Sequence, residues 1–190
     1  MKIILVRHGE SMGNVERMHE GCRVEGKLSN EGISQAKKLG ERLNGEKLDA
    51  IFCSPLGRAK ETMSYITKFH EGVPIEILDE LKEVDVGDLS GKPFSETDWD
   101  NPPDNVESLE SMQKRAKRAI DVIYQKFKDR VVLIVAHGFL NKALITVLLG
   151  LDSDYMDHYS QKNTCVNVFE MFEDRKHRIR LLNCTRHLED

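Results

Sequence analysis

The chain has little of several things. Of its 190 residues five are proline, one is tryptophan and four are cysteine. The cysteines, at positions 22, 53, 165 and 184, form no C-x-x-C pair and no zinc-ribbon spacing. That speaks against a disulfide scaffold or a thiolate metal site, and the expectation is free thiols in a reducing cytoplasm. No apolar run approaches the roughly 20 residues of a membrane span. The opening MKIILVRHGES has too short an apolar stretch, and meets a charge too early, to read as a signal peptide. Neither sign of charge dominates, with 28 basic against 32 acidic residues and a formal net charge of −4. A broad nucleic-acid surface needs a clustered basic stripe, so neither nucleic acid nor membrane is an expected partner. Any positive site must be local.

What is present is ordinary for a soluble globular chain, with 39% hydrophobic and 32% charged residues. Strand-like apolar runs fall at 2–6, 49–53 and 131–135, with shorter or alternating ones at 74–78, 164–172 and 177–182. Helical periodicity lies between them. In 30–44, Ile33, Ala36, Leu39 and Leu43 share a face behind a Ser29 or Asn30 cap. Residues 55–69 begin with Pro55 after Ser54, an arrangement favoured where helices start. Residues 107–128 place Leu109, Met112, Ala116, Ala119, Ile123 and Phe127 on one side, and 139–149 is short and mostly apolar. Strands alternating with helices, the strands near-continuously apolar, predict an α/β fold. The expected form is a three-layer α/β/α sandwich whose central sheet is mostly parallel, with an antiparallel edge strand. No internal repeat is visible, and one domain over 1–190 is expected. The segment 90–106 holds three of the five prolines and the tryptophan, and reads as a long loop or small cap.

Ligands of open α/β sheets collect beyond the carboxyl ends of the strands. The first strand runs into Arg7-His8-Gly9, the second into Ser54-Pro55-Leu56-Gly57-Arg58, and the third strong strand into Ala136-His137-Gly138. Each places an arginine or histidine on the same sheet edge. Two guanidiniums and two imidazoles brought together repel one another unless an anion sits between them. A phosphoryl group fits, because arginine offers forked donors matched to its oxygens. Helix N-termini after residues 54 and 138 would add N–H groups, and Asn14 a neutral donor.

These residues resemble the signature of the histidine phosphatase superfamily, the phosphoglycerate mutase-like proteins. The likeness begins with Arg7-His8-Gly9-Glu10-Ser11 and Asn14 and continues through Leu28-Ser29, Gly32 and Gln35-Ala36. Ser54-Pro55-Leu56 with Arg58-Ala59 and Thr62 follows, then Leu81-Lys82-Glu83-Val84 with Gly87 and Gly91. Val135-Ala136-His137-Gly138 and the ending Asn183, Thr185, His187-Leu188 complete an ordered set across nearly the whole length. The resemblance implies that His8 attacks phosphorus and carries the group as phosphohistidine, which divides one hard displacement into two. It implies Arg7, Asn14, Arg58 and His137 as phosphate-binding donors, His137 also among the catalytic residues, and Glu83 as proton donor and acceptor. No cofactor and no metal are implied, and the partner is a small-molecule phosphate ester. Residues alone do not separate Glu83 from Asp85 and Asp88. The arginines should keep His8 neutral and its lone pair available.

Other readings meet physical objections. A zinc site of His8, His137 and Glu83 would set a divalent cation beside two arginines. Neither Ser11 nor Ser54, as a hydrolase nucleophile, sits in a G-x-S-x-G elbow. A non-catalytic phosphate-binding module is the alternative of another class, but every expected catalytic position is filled. A phosphoglycerate mutase dependent on 2,3-bisphosphoglycerate is the alternative within the family. The short stretch between Gly91 and the long helix, and the early end after the last strand, favour a hydrolase. The chain departs from the family pattern at Lys27, at Val86 and Leu89, and at Pro103-Asp104-Asn105-Val106 before Glu107-Ser108. The acidic segment 96–104, with Trp99, is expected either as a solvated loop or as an overhang that disfavours highly anionic substrates. His19, His70, His158, His177 and His187 are read as surface or packing residues.

Overall fold

The computed structural model describes residues 1–98, 101–173 and 177–189. In chain order the elements are β1 (Lys2–Arg7), α1 (Met12–Val15), α2 (Asn30–Leu43), β2 (Ala50–Cys53), α3 (Gly57–Thr67) and β3 (Ile75–Ile77). They continue with α4 (Leu109–Phe127), β4 (Val131–Ala136), α5 (Gly138–Leu149), β5 (Val166–Glu170) and β6 (Arg178–Cys184). The strands form one six-stranded sheet in the order β3-β2-β4-β1-β5-β6. The four strands from β3 to β1 pair parallel. β5 and β6 add antiparallel, so the antiparallel edge has two strands.

Strand side chains alternate between two apolar layers. Ile3, Leu5, Phe52, Val132 and Ile134 pack with Met112, Ala116 and Ile123 of α4 and with Leu140 and Leu144 of α5. Ile4, Val6, Ile51, Leu133 and Val135 point the other way, onto Leu39 and Leu43 of α2 and Ala59 and Ile66 of α3. The result is the expected three-layer sandwich. α5 is buried on most sides, as its near-continuous apolar sequence requires, and Gly150 closes it in the left-handed region at φ 66°.

Several element ends follow local chemistry, whereas the starts of α3 and α5 carry no side-chain cap. Ser29 caps α2 by accepting from Gly32 N at 3.0 Å, and Ser108 caps α4 by accepting from Ser111 N at 3.2 Å. α3 begins at Gly57, later than expected, and its N-cap Leu56 makes no side-chain bond. Ser54, the expected start signal, accepts from Leu56 N at 3.3 Å, and its Oγ is also 2.7 Å from His137 Nε2.

The register places the site. Arg7 of β1 lies opposite Ala136 of β4, and Cys53 of β2 opposite Val135. Three neighbouring strands therefore end level, and His8, Ser54 and His137 leave the sheet side by side. Gly9 and Gly32 let the loop after β1 lie directly on the start of α2. A Cβ on Gly9 would stand 2.4 Å from Gly32 O, and one on Gly32 only 1.9 Å from Glu10 O.

Candidate active site

His8 is buried and its tautomer is set by its own loop. Nδ1 lies 2.6 Å from the carbonyl of Gly9, which can only accept, so Nδ1 carries the proton. Nε2 then holds the lone pair, and Arg58 Nε donates to it at 3.3 Å. Burial first, then Arg7 and Arg58, push the His8 pKa well below that of a free imidazole, against the pull of the Gly9 carbonyl. The ring is neutral at pH 7 with Nε2 unprotonated.

The two arginines are held by main-chain carbonyls. Arg58 donates through Nη2 to Gly21 O at 2.8 Å and through Nη1 to Val24 O at 3.0 Å, which leaves Nε for His8. Arg7 donates through Nη1 to Gln161 O at 2.6 Å and through Nη2 to Asn14 Oδ1 at 3.4 Å, while its buried Nε has no partner among the described residues. Asn14 Oδ1 also accepts from Ser11 N and from Asn163 Nδ2. The Asn14 amide group remains available to a ligand.

His137 is fully buried, its ring centroid 5.1 Å from that of His8. Burial, then His8, Arg58 and Arg7, drive its pKa well down. Nε2 meets Ser54 Oγ at 2.7 Å, and Nδ1 is a buried atom with no partner among the described residues. A serine–histidine pair thus exists, but without the carboxylate that orients a hydrolytic triad.

Glu83 lies on the cavity wall where its carboxylate meets the first turn of α5. It accepts from Phe139 N at 3.2 Å, Leu140 N at 3.1 Å and Val84 N at 3.0 Å. The two neighbouring acids are committed elsewhere. Asp85 pairs with Arg23 at 2.7 Å, and Asp88 accepts from Asn105 Nδ2 at 2.8 Å. Of the three, Glu83 alone lines the main cavity.

That cavity, of about 530 Å³, is lined at its base by Arg7, His8, Asn14, Arg58 and Glu83. His137 sits just behind the lining, which takes in its neighbour Gly138. Farther out the wall is largely apolar, with Met18, Val84, Val86, Phe94, Leu109, Met112 and Phe139, and also takes in Glu107 and Lys142. The expected cap segment contributes Phe94 and Val106, and Thr97 Oγ1 is 2.6 Å from His19 Nε2. His19, expected at the surface or in packing, is buried and lines the cavity. Within the acidic stretch 96–104, Trp99 and Asp100 lie outside the described residues, and Asn101 bonds Asp98. Among the described residues no group of three histidine, cysteine or acidic side chains is placed to hold a metal ion.

Several contributors carried no sequence signal. Glu20 enters the cavity from a loop, bonded to Ser11 Oγ at 2.5 Å. Behind Arg7, Gln161 and Asn167 exchange amide hydrogen bonds at 2.8 and 3.1 Å and fix the carbonyl that Arg7 uses. Arg115 of α4 donates to the carbonyls of Glu80, Lys82 and Glu83, so it braces the segment that presents Glu83.

A neutral histidine at a strand end, flanked by two arginines and a second buried histidine, on this sheet topology, defines a histidine phosphatase. The family model of the histidine phosphatase superfamily (branch 1) matches residues 3–185, and the chain belongs to that family. It is an enzyme that hydrolyses phosphomonoesters. A Bacillus subtilis (strain 168) protein named Uncharacterized phosphatase PhoE is 34% identical over 189 residues, 98% of this chain and 96% of its own. Phosphoserine phosphatase 1 of Hydrogenobacter thermophilus is 32% identical over an alignment that covers 99% of this chain and 94% of its own. Among solved structures, Bacillus stearothermophilus YhfR superposes with a TM-score of 0.91 at 28% identity, covering 99% of both chains.

Proposed function

We propose that the chain hydrolyses phosphomonoesters of small metabolites in two steps at His8 Nε2, as a single catalytic domain. In the first, Nε2 forms a bond to phosphorus as the ester oxygen leaves, and Glu83 gives that oxygen a proton. In the second, Glu83 takes a proton from water, the new P–O bond forms, the P–N bond breaks, and phosphate departs from neutral His8. Arg7, Arg58 and Asn14 supply donors to the transferring oxygens. With Ser54 donating to Nε2, His137 keeps a proton on Nδ1 and offers it as a further donor. The arginines supply the positive charge, so the step requires no metal and no cofactor.

The observation that carries this reading is the pair of contacts on His8, Gly9 O on Nδ1 and Arg58 Nε on Nε2. Together they leave one nitrogen deprotonated and facing the cationic base of the cavity. The outer wall supports hydrolysis over mutase chemistry. Among the described residues, the lining beyond the two arginines holds one further cation, Lys142, whereas a bisphosphate needs a second cationic cluster. The apolar wall suits an alcohol portion with little charge. Relatives named as phosphoserine and adenosylcobalamin/alpha-ribazole phosphatases support a small phosphorylated substrate. The free thiols support a cytoplasmic setting.

The test is release of phosphate from p-nitrophenyl phosphate, with His8→Ala as control, and trapping of a phosphoenzyme. The expected adduct is acid-labile, as a P–N bond is. An acid-stable adduct, or full activity in His8→Ala, overturns the mechanism. Isomerisation of phosphoglycerate that depends on 2,3-bisphosphoglycerate and outpaces hydrolysis would favour the mutase.

A further inference from the structure

The base of the cavity holds a carboxylate that the mechanism does not use. Glu20 is buried, and its Oε2 stands 3.8 Å from Arg58 Nε as well as against the Ser11 hydroxyl. Arg58 Nε is the same nitrogen that faces His8 Nε2 at 3.3 Å. Arg58 Nε therefore donates to the attacking nitrogen while the Glu20 carboxylate stands at ion-pair distance from the same atom. The other two Arg58 nitrogens are engaged by carbonyls of Gly21 and Val24. The seat of Glu20 is closely built. A Cβ on Gly13 would fall 2.4 Å from Glu20 Cγ, and one on Gly26 would fall 2.4 Å from Glu20 Oε1.

We propose that Glu20 is a specificity-determining residue that weakens the site's hold on free phosphate and so favours release of the product. The proposal rests on the phosphatase reading above. An anion bonded to Arg58 Nε lies near the Glu20 carboxylate, which is 3.8 Å from that nitrogen and already offsets part of its positive charge. Glu20 and Arg58 are themselves buried, so salt screens this repulsion poorly. The penalty falls unevenly along the reaction. Free phosphate at neutral pH is a mixture of mono- and dianion, and its dianion carries more charge than the loosely bonded, metaphosphate-like group in transfer. A fixed carboxylate therefore opposes product and ground state more than the transition state, which raises turnover at the expense of phosphate affinity.

The test is the inhibition constant of inorganic phosphate against p-nitrophenyl phosphate in wild type, Glu20→Gln, Glu20→Ala and Glu20→Asp. Glutamine keeps the volume and the acceptor for Ser11, aspartate keeps the charge, and alanine gives a second neutral variant should glutamine not fold. The neutral variants should bind phosphate at least about tenfold more tightly, while aspartate stays near wild type. Unchanged or weaker binding in the neutral variants overturns the inference. So does equal tightening in aspartate, which would assign the effect to packing. Phosphate-dependent thermal shifts give the same comparison without turnover. A wild type that binds phosphate but hydrolyses nothing thus refutes the phosphatase reading separately.

Discussion

Arg115→Ala should separate the placement of Glu83 from the rest of the catalysis. The guanidinium is bidentate on Glu107, Nε to Oε1 at 3.0 Å and Nη2 to Oε2 at 2.7 Å. It also reaches the carbonyls of Glu80 at 2.8 Å, Lys82 at 2.6 Å and Glu83 at 3.4 Å. The two side chains are 15% and 13% exposed, so truncation leaves a nearly buried carboxylate without its counter-charge. Breaking buried pairs costs about 3–5 kcal/mol, and the residual solvent access puts this one near ~3 kcal/mol. For a chain of this size that corresponds to a fall in Tm of about 6–12 °C. The activity should fall unevenly. A well-placed general acid is worth roughly 10²–10⁴, and only substrates with a poor leaving group need it. An alkyl phosphate should lose at least about tenfold more in kcat/KM, which reports the first step alone, than p-nitrophenyl phosphate, whose leaving group is stable as the anion. Arg115→Lys should recover part of this. Stopped assays on the two substrates, with melting curves of the same preparations, decide the matter. Equal losses on both substrates would refute the positioning argument, and a Tm change under about 2 °C would refute the energetic one.

Ser54→Ala removes the partner of a buried imidazole nitrogen and should cost about 1–3 kcal/mol in denaturant unfolding, together with a lower kcat. Gly32→Ala, a change that ordinarily favours a helix, should instead destabilise by about 1–3 kcal/mol or more, because the new Cβ would meet Glu10 O at 1.9 Å; a raised Tm would contradict this. His8 and His137 have folded pKa values well below the free value of about 6.5, so the unfolded chain binds more protons than the folded one. Their contribution is full above about pH 6.5 and is lost as pH falls from there toward the folded values, at about 1.4 kcal/mol per pH unit for each ring. Unfolding measured between pH 7.5 and 5 should show this slope, and His8→Asn should reduce it by roughly half.

Element positions were readable wherever a periodicity was long and local. The α2 and α4 patterns predicted which faces are buried, because apolar spacing reports one helix's own geometry. Boundaries failed where a side chain answered to something distant in sequence. Ser54 reads as a helix start signal, but its hydroxyl serves both Leu56 N and His137, 83 positions away, and α3 starts late. The antiparallel edge was foreseen from the alternating late runs, and β5 and β6 form it.

The sequence by itself determined that Arg7, His8, Arg58 and His137 would lie on one sheet edge, because strand-then-loop order assigns each to a carboxyl end. It also carried the family, through motifs whose residue types the chemistry demands. Only the tertiary structure decided which atoms face one another. The His8 tautomer follows from the Gly9 carbonyl, and the level ends of β1, β4 and β2 bring His8, His137 and Ser54 together. Glu20 and Arg115 acquire their roles through neighbours on other segments, Ser11 and Arg58 for one, and the 80–83 carbonyls for the other. Such roles depend on long-range packing, and a lone carboxylate or guanidinium in a linear sequence carries no trace of the partner it will meet.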